Sequence, residues 1–140
     1  APNTRSELML NSMVKSALDN GLVRIKNLHL RRSILGINDV ARAIMGAIDC
    51  TLGSGFYNLS SFTSTVREMG LLVADKLKAK IDILEDDKTY YDYEINSDKF
   101  ASAINFKFLE TAESIIDDLV NQHNSVVYDT RDDDRTDGVF

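Results

Sequence analysis

The sequence predicts an α/β fold in one small domain. Three observations carry this. Segments with apolar residues at helical spacing alternate with short runs that are apolar throughout or alternate in polarity. Gly, Asn, Asp and Ser sit between them, at 20–21, 38–39 and 53–55, as turn signals. The length of 140 residues and a hydrophobic content of 44% suit a single core.

Each element follows in order. Ser6 caps a first helix that runs to about Asp19, with Leu10, Met13, Val14, Ala17 and Leu18 on one face; Asn20-Gly21 stops it. "LVRIK" is a strand, and "SILGI" at 33–37 is a second short strand with a buried look. Asn38 or Asp39 opens a helix that turns Val40, Ala43, Ile44, Ala47 and Ile48 inward. "GSG" at 53–55 is a turn, and "FYNLS" is a strand. Thr65 and Glu68 have the spacing of a capping box, and the helix behind them buries Val66, Met69, Leu72, Val73 and Leu77. "KIDIL" and "YYDYEIN" alternate and read as strands, the second with Tyr91, Tyr93 and Ile95 on one face. Ser97 opens a short helix with Phe100 and Ile104. Thr111 opens the last, with Ile115, Ile116, Leu119 and Val120. No internal repeat is visible.

The net charge of −6 argues against a nucleic-acid partner, which needs a basic face. Much of the excess is local, because residues 129–140 hold five Asp and two Arg. That stretch lacks apolar periodicity, so residues 124–140 read as an acidic, mobile tail and 1–123 as the folded part. "DDRTDG" has the opening of a calcium loop, but Arg135 stands where a ligand is needed. No apolar run reaches membrane-spanning length and nothing at the start reads as a signal peptide, so a membrane partner is not expected. The single cysteine, Cys50, falls on the expected helix and reads as a small buried hydrophobe. The Asn58 sequon lies in an expected strand and means nothing in a cytoplasmic protein. The opening "APNTRSE" looks cut from something longer, because no strand precedes the first helix.

Much familiar chemistry is missing. There is no glycine-rich phosphate loop, no Tyr-x-x-x-Lys pair, no Gly-x-Ser-x-Gly elbow and no Cys/His cluster for zinc; no metal is expected. His29 and His123 are far apart, and His29 reads as a loop residue. Adjacent acids such as Asp86-Asp87 and Asp117-Asp118 point apart on any regular element and read as solvated. What stands out is "RRSILGINDVARAI" at 31–44, two arginines directly ahead of an apolar run. A guanidinium is a planar fork that matches phosphate with two parallel hydrogen bonds. On the residues alone, ordinary surface or ion-paired arginine remains the preferred reading for both.

The ordered motifs shift that balance for Arg32. "RSELMLNSMVKSAL", "RRSILGINDVARAI", "FYNLSSFTSTVREM" and "YDYEINSDKFASAINFKFLETAESIIDDLV" together resemble the C-terminal, substrate-binding part of the extended short-chain dehydrogenase/reductases, the NAD-dependent sugar-nucleotide epimerases and dehydratases. The resemblance covers roughly residues 3–122. It implies a small mixed α/β substrate-binding lobe whose Rossmann half is absent from these residues. It also implies that Arg32 holds the nucleotide diphosphate, that Asn11 opens toward the sugar nucleotide, and that Asp39 starts a helix. Tyr93, Lys99 and Phe106 fall on the family's Tyr, Lys and Phe. Three departures follow. "NLHLR" replaces a Gly-x-Gly before the arginine, and Tyr91 stands where the family has a second substrate arginine. Asn105 replaces a glycine and keeps the left-handed turn possible. Tyr91 would offer a hydroxyl or a stacking face instead of charge, and Arg5 is a further phosphate candidate.

The resemblance explains the missing chemistry, since the family's cofactor glycines and catalytic Tyr-x-x-x-Lys lie in the N-terminal Rossmann half. Its implied partners are a nucleotide-sugar substrate and that Rossmann domain, with NAD or NADP as cofactor of the parent enzyme. A homodimer is left open, because the dimer helices of such enzymes lie mainly in the other half. Two alternatives remain: a non-catalytic nucleotide-sugar-binding or interaction module of the same fold, and an unrelated small α/β interaction domain. A lobe without its other half is also expected to expose an apolar patch.

Overall fold

The computed structural model describes residues 8–84 and 91–125. In chain order the elements are α1 (Met9–Asn20), β1 (Leu22–Ile25), β2 (Arg31–Ile34), α2 (Ile37–Asp49), β3 (Phe62–Thr65), α3 (Val66–Leu77), β4 (Lys80–Ile83), α4 (Asp98–Ile104) and α5 (Ala112–Ser125). The α/β class is as the sequence predicts. The chain divides into two compact units, neither continuous in sequence.

The first unit holds described residues 8–30, 65–84 and 112–125. Its centre is a parallel pair, β1 with β4, in register Leu22↔Lys80 through Ile25↔Ile83. The ladder extends at both ends, where Lys80 N–H donates to Gly21 O (2.8 Å) and Leu84 N–H to Ile25 O (2.9 Å). Helices α1, α3 and α5 bury their apolar faces here. Val14, Val23, Val73 and Ile116 are fully buried, and Leu10, Met13, Ala17, Ile25, Val66, Met69 and Leu119 nearly so. Gly21 ends α1 at φ 63, a left-handed cap that costs glycine little. The capping box forms: Glu68 N–H donates to Thr65 Oγ1 (3.1 Å) and Thr65 N–H to Glu68 Oε2 (2.9 Å). Leu72 and Leu77 are only half-buried; the helix uses Gly70 and Ala74 on its buried face instead.

The second unit holds described residues 31–64 and 91–111. Strand β2 pairs with β3, flanked by Ser61 N–H donating to Ile34 O (2.8 Å). Its core is small. Ala43 and Phe100 are buried, and the rings of Tyr57, Phe100, Phe106 and Phe108 meet edge to face in succession at centroid distances of 6.1, 5.3 and 4.9 Å. Asn105 takes the left-handed cap of α4 at φ 51, as its side chain permits.

Five expectations are corrected. The second strand is 31–34, not 33–37; it includes both arginines, and no residue in it is buried. Gly36, not Asn38 or Asp39, is the N-cap of α2, and Ile44 and Ile48 face outward at 54% and 71% exposure. "FYNLS" is not a strand, because the pairing with β2 begins only after it; Phe56 is almost fully exposed, and Tyr57 turns its hydroxyl back to Gly53 O (3.0 Å). Residues 91–96 of "YYDYEIN" form no strand either, and Tyr90 lies outside the described residues. Their contacts to β2 run through side chains: Ile95 N–H donates to Ser33 Oγ (2.8 Å), and Asp92 accepts from Arg31 N–H (2.7 Å). Cys50 is exposed, since α2 ends one residue before it. His29 is an exposed turn residue, as expected. Ser6, Asp86, Asp87 and residues 126–140 of the acidic tail lie outside the described residues.

Candidate functional site

Strand β2 sends its two arginines to different partners, as neighbouring positions on a strand must. Arg31 is neutralised. Its guanidinium meets Asp92 (Nη2 to Oδ2, 3.2 Å; Nε to Oδ2, 3.2 Å) and Glu94 (Nη1 to Oε2, 2.9 Å). The hydrogen bond and the charge of Asp92 raise the Arg31 pKa further. This clamp ties residues 92–94 to β2.

Arg32 is held differently. Its Nη1 donates to two main-chain carbonyls, Arg31 O (2.7 Å) and Tyr91 O (2.9 Å). Its guanidinium carbon lies 5.4 Å from the centroid of the Tyr93 ring, a cation–π contact. Among the described residues no carboxylate pairs with it. The half-buried guanidinium is thus oriented without being neutralised, beside Tyr91, whose side chain is 90% exposed. Chemically this is an anion-holding arrangement: a fixed fork, an aromatic face and an exposed phenol.

Arg32 and Tyr91 both belong to the second unit. Asn11 is half-buried on α1, in the first unit, and Arg5 lies outside the described residues. Lys99 donates to Phe56 O (2.9 Å) and sits 4.3 Å from the Tyr57 ring, so it fixes the 53–57 loop. A cleft of about 570 Å³ in the second unit is lined by Ser60, Thr63, Glu94, Asn96, Asp98 and Phe108 among others, and Arg32 is not part of it.

A buried charge that the sequence did not announce anchors this unit. Asp39, in the first turn of α2, is fully buried. It accepts from Ser61 Oγ (2.8 Å), Leu109 N–H (3.0 Å), Glu110 N–H (3.0 Å) and Arg42 Nη1 (2.6 Å). Burial pushes its pKa up, but the N–H groups of Glu110 and Leu109, the Ser61 hydroxyl and the Arg42 charge outweigh that and hold it low. Glu110 reciprocates by accepting from Asn38 N–H (2.9 Å), Asn38 Nδ2 (3.0 Å) and Asp39 N–H (3.2 Å). Asp39 is therefore a structural carboxylate at the helix start, as the resemblance implies, and its partner Glu110 went unnoticed. The one local signal was a Glu directly before Thr111, beyond the pattern's reach.

The same geometry tests the chain against a dinucleotide. The sequence β2–Gly36–α2 is the one strand–glycine–helix turn among the described residues. A pyrophosphate would need the N–H groups at the start of α2, yet those of Asn38 and Asp39 are taken by Glu110. A methyl group at position 36 would overlap that carboxylate. These residues do not fit the pyrophosphate of NAD or NADP. Among the described residues no three His, Cys, Asp or Glu side chains are placed to hold a metal ion, and no helix is long and apolar enough to cross a membrane.

No protein-family model and no curated protein matches the sequence. Solved structures do match the fold. An RMD protein of Pseudomonas aeruginosa complexed with NADPH matches with a TM-score of 0.73 at 17% identity, over 89% of this chain and 45% of that one. A dTDP-glucose 4,6-dehydratase of Bacillus anthracis in complex with NAD matches at 0.72 and 20% identity, over 89% and 42%. An L-threonine dehydrogenase of Phytophthora infestans matches at 0.70 and 16% identity, over 89% and 44%. The chain thus has the fold of a part of these enzymes and spans less than half the length of each. That likeness of fold agrees with the resemblance the motifs carry.

Proposed function

We propose that these residues are the substrate-binding part of an NAD(P)-dependent nucleotide-sugar epimerase, dehydratase or reductase of the cytoplasm. In this reading Arg32 grips the diphosphate of a nucleotide sugar, Tyr91 lies against the substrate, and Asn11 and Arg5 add polar contacts. The cofactor binds to a Rossmann domain outside these residues, and the 140 residues alone perform no chemistry. The lobe holds the sugar in place for hydride transfer at that cofactor. A single observation carries the reading: of two adjacent arginines, one is neutralised by carboxylates and the other is oriented by carbonyls, with no carboxylate on it among the described residues. The threonine dehydrogenase among the fold's neighbours shows that the fold alone does not select nucleotide sugars. The arginine makes that selection here.

Calorimetric titration of the natural polypeptide with UDP-, dTDP-, GDP- and ADP-sugars tests this. Arg32→Met is expected to weaken the best ligand about 10- to 100-fold, the loss of a charge-assisted hydrogen bond. Arg32→Lys is expected to fall between, because it keeps charge but loses the fork. Unchanged affinity in Arg32→Met would sink the reading. Tight binding by the 140 residues alone, without cofactor, would favour the non-catalytic module.

A further inference from the structure

The fork of Arg32 is not oriented by its own strand alone. The Tyr91 carbonyl (2.9 Å) and the Tyr93 ring (5.4 Å) both come from a segment some sixty residues on. That segment forms no ladder with β2, and its Tyr91 and Tyr93 side chains are exposed, so apolar packing holds it only weakly. Its anchors lie on the other face of β2, where Arg31 and Ser33 alternate with Arg32. Arg31 N–H donates to Asp92 Oδ1 (2.7 Å), the Arg31 guanidinium meets Asp92 at 3.2 Å and Glu94 at 2.9 Å, and Ile95 N–H donates to Ser33 Oγ (2.8 Å). Asp92 and Glu94 thus flank Tyr93 in sequence, and each is next to a residue that orients Arg32. As stabilisers these ion pairs count for little: the Arg31, Asp92 and Glu94 side chains are 47%, 42% and 56% exposed. A contact that adds little stability can still select one placement of a segment without a ladder.

We infer that Asp92 and Glu94, clamped by Arg31, are positioning residues: they set residues 91–93 so that the Tyr91 carbonyl and the Tyr93 ring preorganise Arg32 for a phosphate. The inference rests on the proposed function for the identity of that anion. Neighbouring strand residues point to opposite faces, so Arg31 does not share the anion with Arg32; its charge serves the clamp. A guanidinium already fixed in place need not be ordered when the anion arrives, and affinity rises accordingly.

Two measurements on the natural polypeptide test this. The first needs no ligand. The guanidinium NMR signals of Arg32, assigned by their loss in Arg32→Lys, are expected to carry a ring-current shift from Tyr93. In Asp92→Ala they are expected to move toward their values in denaturant, while signals of the buried Ala43 and Phe100 stay in place. Unmoved Arg32 signals would overturn the inference whatever the protein binds. Core signals that move as well would make Asp92 a structural residue only, and would also overturn it. The second measurement is a double-variant cycle, titrating the nucleotide sugar that binds best. Asp92→Ala is expected to weaken binding about 3- to 10-fold when Arg32 is present, and less than about twofold in Arg32→Met, because the clamp acts through Arg32. Asp92→Asn keeps an oxygen for the Arg31 N–H and is expected to lose less than Asp92→Ala. Equal losses in both backgrounds would overturn the inference while leaving the proposed function intact; only unchanged affinity in Arg32→Met sinks that.

Discussion

At the scale of single residues, Asp39 and Arg32 show how charge is handled in opposite ways. Asp39 is out of water and surrounded by donors; Arg32 is half in water and, among the described residues, meets carbonyls and no acid. Removing a buried carboxylate that satisfies two main-chain N–H groups, a hydroxyl and an arginine leaves all of them unpaired. Asp39→Ala is expected to cost about 3 kcal/mol in urea unfolding. The sign with pH follows from the depressed pKa. The unfolded aspartate binds a proton more readily than the folded one, so the contribution is whole above the ordinary value of 3.8 and disappears as pH falls below it. Asp39→Asn should flatten that acid-side slope in a urea series run at stepped pH, and an unchanged slope would rule Asp39 out as its source. Neither role was legible from residue type. Two adjacent arginines look alike in sequence; what separates them is Asp92 and Glu94, some sixty positions on, which only the fold brings to Arg31.

Elements were more legible than their edges. Helices α1, α3, α4 and α5 stand where periodicity put them, because a 3.6-residue pattern over several turns is a strong signal, although α1 begins at Met9 behind Leu8 and not at a Ser6 cap. The expected strands at 56–60 and over the described residues 91–96 failed for a shared reason. Alternation records which side chains share a face, not whether the backbone has a partner. Around 91–95 the alternation is real: Asp92 and Glu94 reach Arg31 while Tyr93 reaches Arg32, yet no ladder forms. The start of α2 was misjudged because its cap arrives from 72 residues away in Glu110. That cap makes a prediction at the element scale. Glu110→Ala and Gly36→Ala should each cost about 1–2 kcal/mol, the first by removing the cap and the second by displacing it. Because both act on one contact, the double variant should cost clearly less than the sum. Full additivity in chemical denaturation would show that Gly36 is constrained by something else.

On the scale of the whole molecule, the two units interleave along the chain: the first is assembled from three described segments and the second from two. Among the described residues no linker separates them; the chain crosses at the start of β2 between Leu30 and Arg31, within β3 between Ser64 and Thr65, and at the start of α5 between Thr111 and Ala112. This interleaving fixes an order of events during synthesis. Residues 91–111 leave the ribosome before 112–125, so the second unit has all its parts first. Helix α1, made before the other described elements, waits with Leu10, Met13, Val14 and Ala17 uncovered until α3 and then α5 have emerged. Chains stalled with residue 111 just outside the exit tunnel should therefore protect α2 and α4 from protease while α1 is still cut. Protection of both at that length would mean that α5 is dispensable for closing the first unit. Of the two units, the one that contains the earlier-translated α1 is thus the one completed later, and α1 is where a nascent chain would most need a chaperone's cover.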